Sequence, residues 1–410
     1  MTAYLLDWLS LLGRWLHLVA GIAWIGSSFY FIWLDNHLLP PSDPTLTNKG
    51  VAGELWAVHG GGVYNAQKYR LAPATLPPTL HWFYWEAYTT LLSGLFLLGL
   101  LYYGQAELYL IDRSVAALSK PAAIVIGIAF IAGGWIVYDA LCRSPLGRDS
   151  RALGAVLAVL LTAAAYLLCH LFSGRGAYME FGAMLGTIMV ANVFFVIIPA
   201  QRALVRAKQE DREPDPQSAI AQGAIAAKLR STHNTYFTLP VLFVMISHHY
   251  PMTYGARENW LVLIAICAAG VLLRTYFVAR QKAHERDGHT SLLPAALGVL
   301  TLAGVAFALL PSARVPPLAN AGWVVGGSFV RIEAIVARRC AGCHSVQPTL
   351  AGFTVAPNGV LLDTPEHILA RTEQMHQQLA TRAMPVGNVT GITEEERAEM
   401  LAWIERGAPH

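Results

Sequence analysis

The sequence predicts an all-α protein: a polytopic membrane helical bundle of about eight spans, followed by a small helical C-terminal domain. Three observations predict it. First, 55% of the residues are hydrophobic and 13% are charged, against about 25% charged in an ordinary soluble domain; a chain this poor in charge is solvated mostly by lipid. Second, long apolar stretches recur through the first three quarters of the chain. Third, these stop near residue 311 and the composition turns soluble. The net charge of +3 and the lack of a dense basic run exclude nucleic acid as a partner.

A helix needs about 20 mostly apolar residues to cross a bilayer. Segments 8–34, 81–103, 121–141, 152–172, 177–200, 232–250, 258–280 and 292–311 meet that requirement. The connection 35–80, with Gly60-Gly61-Gly62, reads as an ordered loop or re-entrant piece. Met1-Thr2-Ala3-Tyr4 has no basic region and no small-residue cleavage site, so the first span is expected to do the targeting itself.

Lys and Arg set the orientation. Alternate loops hold Lys49, Lys68, Arg70; Arg143, Arg148, Arg151; Arg202, Arg206, Lys208, Arg212, Lys228, Arg230; and Arg280, Lys282, Arg286. The remaining loops hold Arg113, Lys120, Arg175 and Arg257, a bias of fifteen against four. The richer set is cytoplasmic, so eight spans put both termini in the periplasm of a bacterial inner membrane. The domains are expected at 1–311 and 326–410, joined by a linker at 312–325 that Pro316-Pro317 stiffens.

Five cysteines are present. Cys142, Cys169 and Cys267 lie singly in or beside apolar segments, where a thiol is a small buried hydrophobe, and no disulfide framework is indicated. The other two form Cys340-Ala341-Gly342-Cys343-His344, the c-type haem attachment pattern. Two thiols at this spacing reach the two vinyl groups of one haem, and His344 is carried under the iron. A zinc reading needs a second ligand pair, and a thioredoxin reading needs a preceding strand; neither is found. Met384 is the expected sixth ligand, since Met/His ligation raises the potential of a cytochrome c. Met375 and Met400 compete but fit apolar helix stripes; His367 and His376 are weaker alternatives.

The flanking pattern agrees with a small cytochrome c fold. Phe329, Ile332, Ile335 and Val336 form one helical face before Cys340. Thr364-Pro365 starts a second helix, and Thr393-Glu394-Glu395-Glu396 is a capping box ahead of Met400, Leu401 and Ile404. Covalent haem attachment occurs outside the bacterial cytoplasm, where the charge bias had independently put this domain.

Ionisable side chains within spans are functional candidates by default. His17, His170, His248 and His249 fall toward the periplasmic side; His81 and His233 fall toward the cytoplasmic side, with His59 below them. Glu86, read as about one turn after His81 on the same helix, Asp139 and Glu180 complete the set. Histidines at span ends often simply bond in the headgroup region. The sharper reading makes His17, His170, His248 and His249 ligands of a haem b between helices. If oxidation occurs near the cytoplasmic face, electrons must cross about 30 Å of hydrocarbon, and such a carrier would be needed.

His59-Gly60-Gly61-Gly62, the run from His81-Trp82-Phe83-Tyr84 to Glu86, and His233-Asn234-Thr235-Tyr236, fused to a C-terminal Cys-x-x-Cys-His domain, resemble the membrane-bound, cytochrome-c-linked urate oxidase family of bacterial purine degradation. The resemblance implies that urate and water give 5-hydroxyisourate, with electrons leaving through the haem to periplasmic cytochromes or a terminal oxidase and no hydrogen peroxide formed. Such chemistry needs a cationic or amide-rich pocket for the urate anion, a base for a ring N–H proton and a group to position water. His81 and Glu86 are the first candidates, followed by His59, His233 and Asn234. Lys68 and Arg70 are explained as positive-inside residues. A second functional class is a pure electron-transfer module fed by quinol or a partner dehydrogenase, because quinol sites also use a His and a carboxylate near a membrane face.

Overall fold

The computed structural model describes residues 2–70, 72–73, 75–210, 218–284, 288–310, 328–350, 353 and 355–409. The expected linker, with Pro316 and Pro317, lies outside the described residues, as do Arg212 and Arg286.

The described chain is mostly helical. Helices occupy all eight apolar segments: α1 (Thr2–Asn36), α2 (Trp85–Leu97, continued by a π-helical turn over Leu98–Tyr103), α3 (Lys120–Arg143), α4 (Ser150–Leu171), α5 (Gly174–Gln209), α6 (Ala219–Ser247), α7 (Asn259–His284) and α8 (Leu293–Ala308). Five of these, α1, α3, α4, α5 and α7, are long and apolar enough to cross a membrane. Side chains close the N-termini of three of them, where the first backbone N–H groups have no partner within the helix. The Ser119 hydroxyl accepts from Ala122 N–H at the start of α3, Asp149 accepts from Arg151 and Ala152 N–H at α4, and Ser173 accepts from Gly176 N–H at α5.

Helix α5 is the axis of the bundle, with twelve of the sixteen residues from Ala177 to Asn192 buried. Small residues let its neighbours approach, the usual solution where helices associate without water to drive them. A Cβ on Gly182 would stand 2.5 Å from Val244 of α6, and one on Gly127 of α3 would stand 2.7 Å from Glu180 Oε1. Helix α1 is peripheral; Trp8, Trp15, Leu18 and Ile22 are exposed, and it packs chiefly on α2, where Gly94 makes room for the His17 ring.

Residues 35–80 hold an antiparallel hairpin, not a bare loop or re-entrant segment: β1 (Val51–His59) pairs with β2 (Gly62–Tyr69). Gly60 and Gly61 take φ of +57° and +80°, as a two-residue type I′ turn demands at both central positions. The hairpin's base is tied to the bundle through Asp35, which pairs with Lys68 of β2 and Lys228 of α6.

The C-terminal unit contains α9 (Ser328–Arg339), α10 (Pro365–Leu369), α11 (Thr372–Ala380) and α12 (Glu394–Glu405). It has its own core, in which Phe329, Ile332, Ile335 and Val336 meet Leu379, Met400 and Trp403. Thr393 and Glu396 form the reciprocal capping box, and the Thr364 hydroxyl accepts from His367 N–H. The unit sits on the end of the bundle formed by residues 105–111, 173 and 250–255. Gly387, at φ +56°, fits against Leu108 and Ile111, where a Cβ would stand 2.6 Å from the Leu108 carbonyl oxygen. This is the end with the Lys/Arg-poor loops.

Candidate functional site

Two regions concentrate chemistry. The first is a cavity of about 600 Å³ lined by Cys340, Cys343, His344 and Met384 of the C-terminal unit and by Leu108, Tyr109 and Arg175 of the bundle. A turn after α9 brings the motif together, with Cys343 N–H and His344 N–H donating to the Cys340 carbonyl at 3.1 and 2.9 Å. His344 Nδ1 lies 3.0 Å from the Val360 carbonyl oxygen. A carbonyl can only accept, so Nδ1 carries the proton and Nε2 keeps its lone pair, the usual arrangement of a ligating imidazole. Burial pushes the Cys340 thiol up to about 12, so it is neutral at physiological pH. Arg397 donates to the Met384 carbonyl at 2.8 Å and to the Leu379 carbonyl at 3.1 Å, which holds the Met384 loop at the cavity wall.

This donor set fits a covalently held haem: two thiols, an imidazole with a free lone pair and a thioether on one cavity, whose volume lies in the range of cofactor pockets. Met375 and Met400 also border the cavity, but they are buried in the unit's core. His367 and His376 do not line it; they face Asp363 at 2.8 Å and Glu405 at 3.3 Å.

The second region is a polar network inside the bundle. Asp139 accepts from Arg230 Nη2 at 2.6 Å and from Arg143 Nε at 2.6 Å. Arg230, 3% exposed, also donates to Asn192 Oδ1 at 3.3 Å and lies over the Tyr138 ring. The Asn192 amide nitrogen donates both to the Tyr138 hydroxyl at 3.1 Å and to Asn234 Oδ1 at 2.8 Å, and Asn234 donates to the Met189 carbonyl at 2.9 Å. The Tyr138 hydroxyl also lies 2.8 Å from His233 Nδ1, in a hydrogen bond whose donor is set by the imidazole tautomer.

Of the expected catalytic residues, His233 and Asn234 meet here, and the other three do not. His81 is exposed in the irregular stretch before α2, and Glu86 is half-buried in that helix's first turn. They do not share a helix, because α2 starts at Trp85, four residues later than the apolar pattern implied. His59 is exposed at the end of β1, beside the glycine turn. Lys68 is committed to Asp35.

The four membrane histidines have different partners. His17 Nδ1 lies 3.0 Å from the Thr90 carbonyl and 3.1 Å from Ser93 Oγ. His170 is exposed on α4, stacked on Tyr166. His248 and His249 are chain neighbours with ring centroids 3.8 Å apart. Among the described residues no group of three or more His, Cys, Asp or Glu forms a metal cluster.

Sequence reading passed over Tyr138 and Asn192, and it assigned Arg230 to a loop. It also passed over Arg274 of α7, 6% exposed, whose guanidinium lies 4.1 Å from the Phe29 ring centroid. Its Nε and one Nη have no hydrogen-bond partner among the described residues. The available signal was a charge in an apolar span.

No curated protein and no solved structure matches the chain. A family profile described as "Urate oxidase N-terminal" matches residues 3–308, the bundle from α1 through α8, and ends before the C-terminal unit. By that match over most of its length, the chain belongs to the urate oxidase N-terminal family.

Proposed function

We propose that this protein oxidises urate with water to 5-hydroxyisourate and passes the electrons to a haem c held by Cys340, Cys343, His344 and Met384. The balance is urate plus water to 5-hydroxyisourate, two electrons and two protons: a C–O bond forms at the ring, an O–H bond of water and a ring N–H bond break, and dioxygen is not consumed. When bound, the haem supplies one-electron acceptance at the potential its His/Met pair sets, for delivery to periplasmic cytochromes or a terminal oxidase.

The observation that carries this reading is the shared cavity: Leu108, Tyr109 and Arg175 of the family-matched bundle form part of the wall around the thiol pair and His344. The bundle's contribution is proton handling. His233, bonded to Tyr138, takes up and hands on a proton, while Asn192, Asn234 and Arg230 hold that pair in register.

In this reading all eight helices cross the bacterial inner membrane. Residues 326–410 form a periplasmic cytochrome domain, because haem attachment requires that side. A haem b on His17, His170, His248 or His249 would serve as the carrier if urate is oxidised near the cytoplasmic face, about 30 Å of hydrocarbon from the haem c.

The test is turnover in water labelled with oxygen-18, with an added cytochrome c as acceptor. Label in the hydroxyl of the product, acceptor reduction matching urate loss and no peroxide are expected. Peroxide formed in proportion to urate lost would contradict the reading. Reporter fusions are expected to place residues 201–231 in the cytoplasm.

A further inference from the structure

The cavity around Cys340, Cys343 and His344 is one-sided in charge. Arg175, Arg339 and Arg371 line it, and no Asp or Glu is among its lining residues. A guanidinium taken out of water is costly unless acceptors meet it, so the partners of each arginine decide which one is left for a ligand.

Arg339 is committed within the C-terminal unit. Its Nε and Nη2 donate to the Glu396 carboxylate at 2.9 and 3.2 Å, and its Nη1 donates to the Thr390 carbonyl at 2.6 Å. Arg371 donates from Nη1 to Gln374 Oε1 at 3.2 Å, in an exposed contact. Arg175 differs from both. It comes from the first turn of α5, on the bundle side of the cavity, and its guanidinium lies 4.8 Å from the Tyr109 ring centroid. Its buried Nε has no hydrogen-bond partner among the described residues. Tyr102, Tyr109 and Tyr254 stand beside it, and phenols are neutral at ordinary pH. The charge therefore faces the cavity without a counter-charge.

We propose that Arg175 holds a carboxylate of the haem, so that the membrane bundle completes the haem pocket of the C-terminal unit. The proposal rests on the haem reading above. A haem attached through its vinyl groups keeps its two propionates, and a cavity with arginines and without acids is complementary to those anions. The planar fork of a guanidinium pairs with a carboxylate through two N–H groups, and the Tyr109 ring fixes the plane of the fork. The thiols lie on one side of the junction and Arg175 on the other, so the pair ties the two units together. A cation kept in these surroundings also favours the ferrous state, which carries one positive charge fewer.

The test uses the full-length haem-loaded protein in detergent, titrated spectroelectrochemically without urate, with resonance Raman spectra to follow the propionate bending band. Arg175→Gln is expected to shift the equilibrium toward the ferric form by about ten-fold, about 59 mV for one electron, and to move the propionate band. Arg175→Lys keeps the charge and loses the fork; it is expected to restore most of the potential but not the band. Should Arg175→Gln fail to fold, Tyr109→Leu removes the contact that orients the guanidinium and is expected to shift the equilibrium the same way by about three-fold. A haem-loaded Arg175→Gln, or in its place Tyr109→Leu, with wild-type potential and band would overturn the proposal and leave the haem reading standing. The same unchanged haem with weaker urate binding would assign Arg175 to the substrate anion and overturn it too. A wild type without covalent haem would sink the haem reading and the proposal with it.

Discussion

The C-terminal unit keeps its reactive groups on one short turn and turns them toward a cavity, whereas the bundle spreads its polar groups over α3, α5 and α6 and satisfies them against one another. Cys340, Cys343 and His344 line a cavity of about 600 Å³. Tyr138, Asn192 and Asn234 are all nearly inaccessible and spend their hydrogen bonds within the network. The first arrangement suits a cofactor that fills the gap. The second suits a rigid proton-handling frame, because a buried network with every member satisfied has one low-energy arrangement.

The contrast can be broken most completely at the thiols. Replacing Cys340 and Cys343 with Ser is expected to abolish covalently attached haem, read by haem staining of denaturing gels, while Cys142→Ala, Cys169→Ala and Cys267→Ala leave it intact. The network should fail next. Asp139→Asn strands the Arg230 guanidinium, and breaking a buried pair from one side costs about 3–5 kcal/mol; a large fall in the thermal midpoint in detergent is expected. Arg143→Gln removes the exposed partner of the same carboxylate, and its loss is within about 1 kcal/mol.

Met384→His sharpens the assignment of the cavity. It is expected to lower the haem midpoint potential by on the order of 0.1 V, a modest part of the roughly 0.8 V that axial ligands span. Met375→Leu and Met400→Leu leave the potential near its wild-type value.

The smallest effect is at the capping box. Thr393→Ala is expected to destabilise the C-terminal unit by about 1 kcal/mol, measured by chemical denaturation followed at the haem band. The same corner sets a pH dependence. Burial raises the Glu396 carboxyl, but the Arg339 hydrogen bond and the Thr393 N–H outweigh it and hold the group below its ordinary value. A carboxyl lowered in the folded state stabilises above the unfolded value, about 4.3, and that contribution is lost as pH falls through the lowered one. Stability should decline on acidification below about pH 4, and less steeply in Arg339→Gln.

The difference between the halves also explains what could be read from the chain alone. Five consecutive residues hold the haem motif, and caps such as Thr364 and Thr393 act within four residues, so spacing exposed them. Apolar length located all eight bundle helices to within several residues at most ends, although α6 begins at Ala219, well before the apolar run at 232. The network escaped because its members lie up to 96 positions apart, from Tyr138 to Asn234, and only helix packing joins them. The hairpin is hidden because glycine and proline mark loops and turns alike, and Gly60-Gly61 between Val58 and Val63 is a turn between strands. His81 and Glu86 looked paired because the apolar pattern began before the helix does.

One measurement tests the central claim, that oxidation of urate by the bundle delivers electrons to the C-terminal unit: the anaerobic absorbance spectrum of the purified protein before and after urate. Growth of the reduced c-type α-band with matching loss of urate is the predicted result, and it should vanish in the Cys340 and Cys343 variants. A haem that dithionite or a quinol reduces but urate does not would contradict the claim and leave the molecule an electron-transfer module.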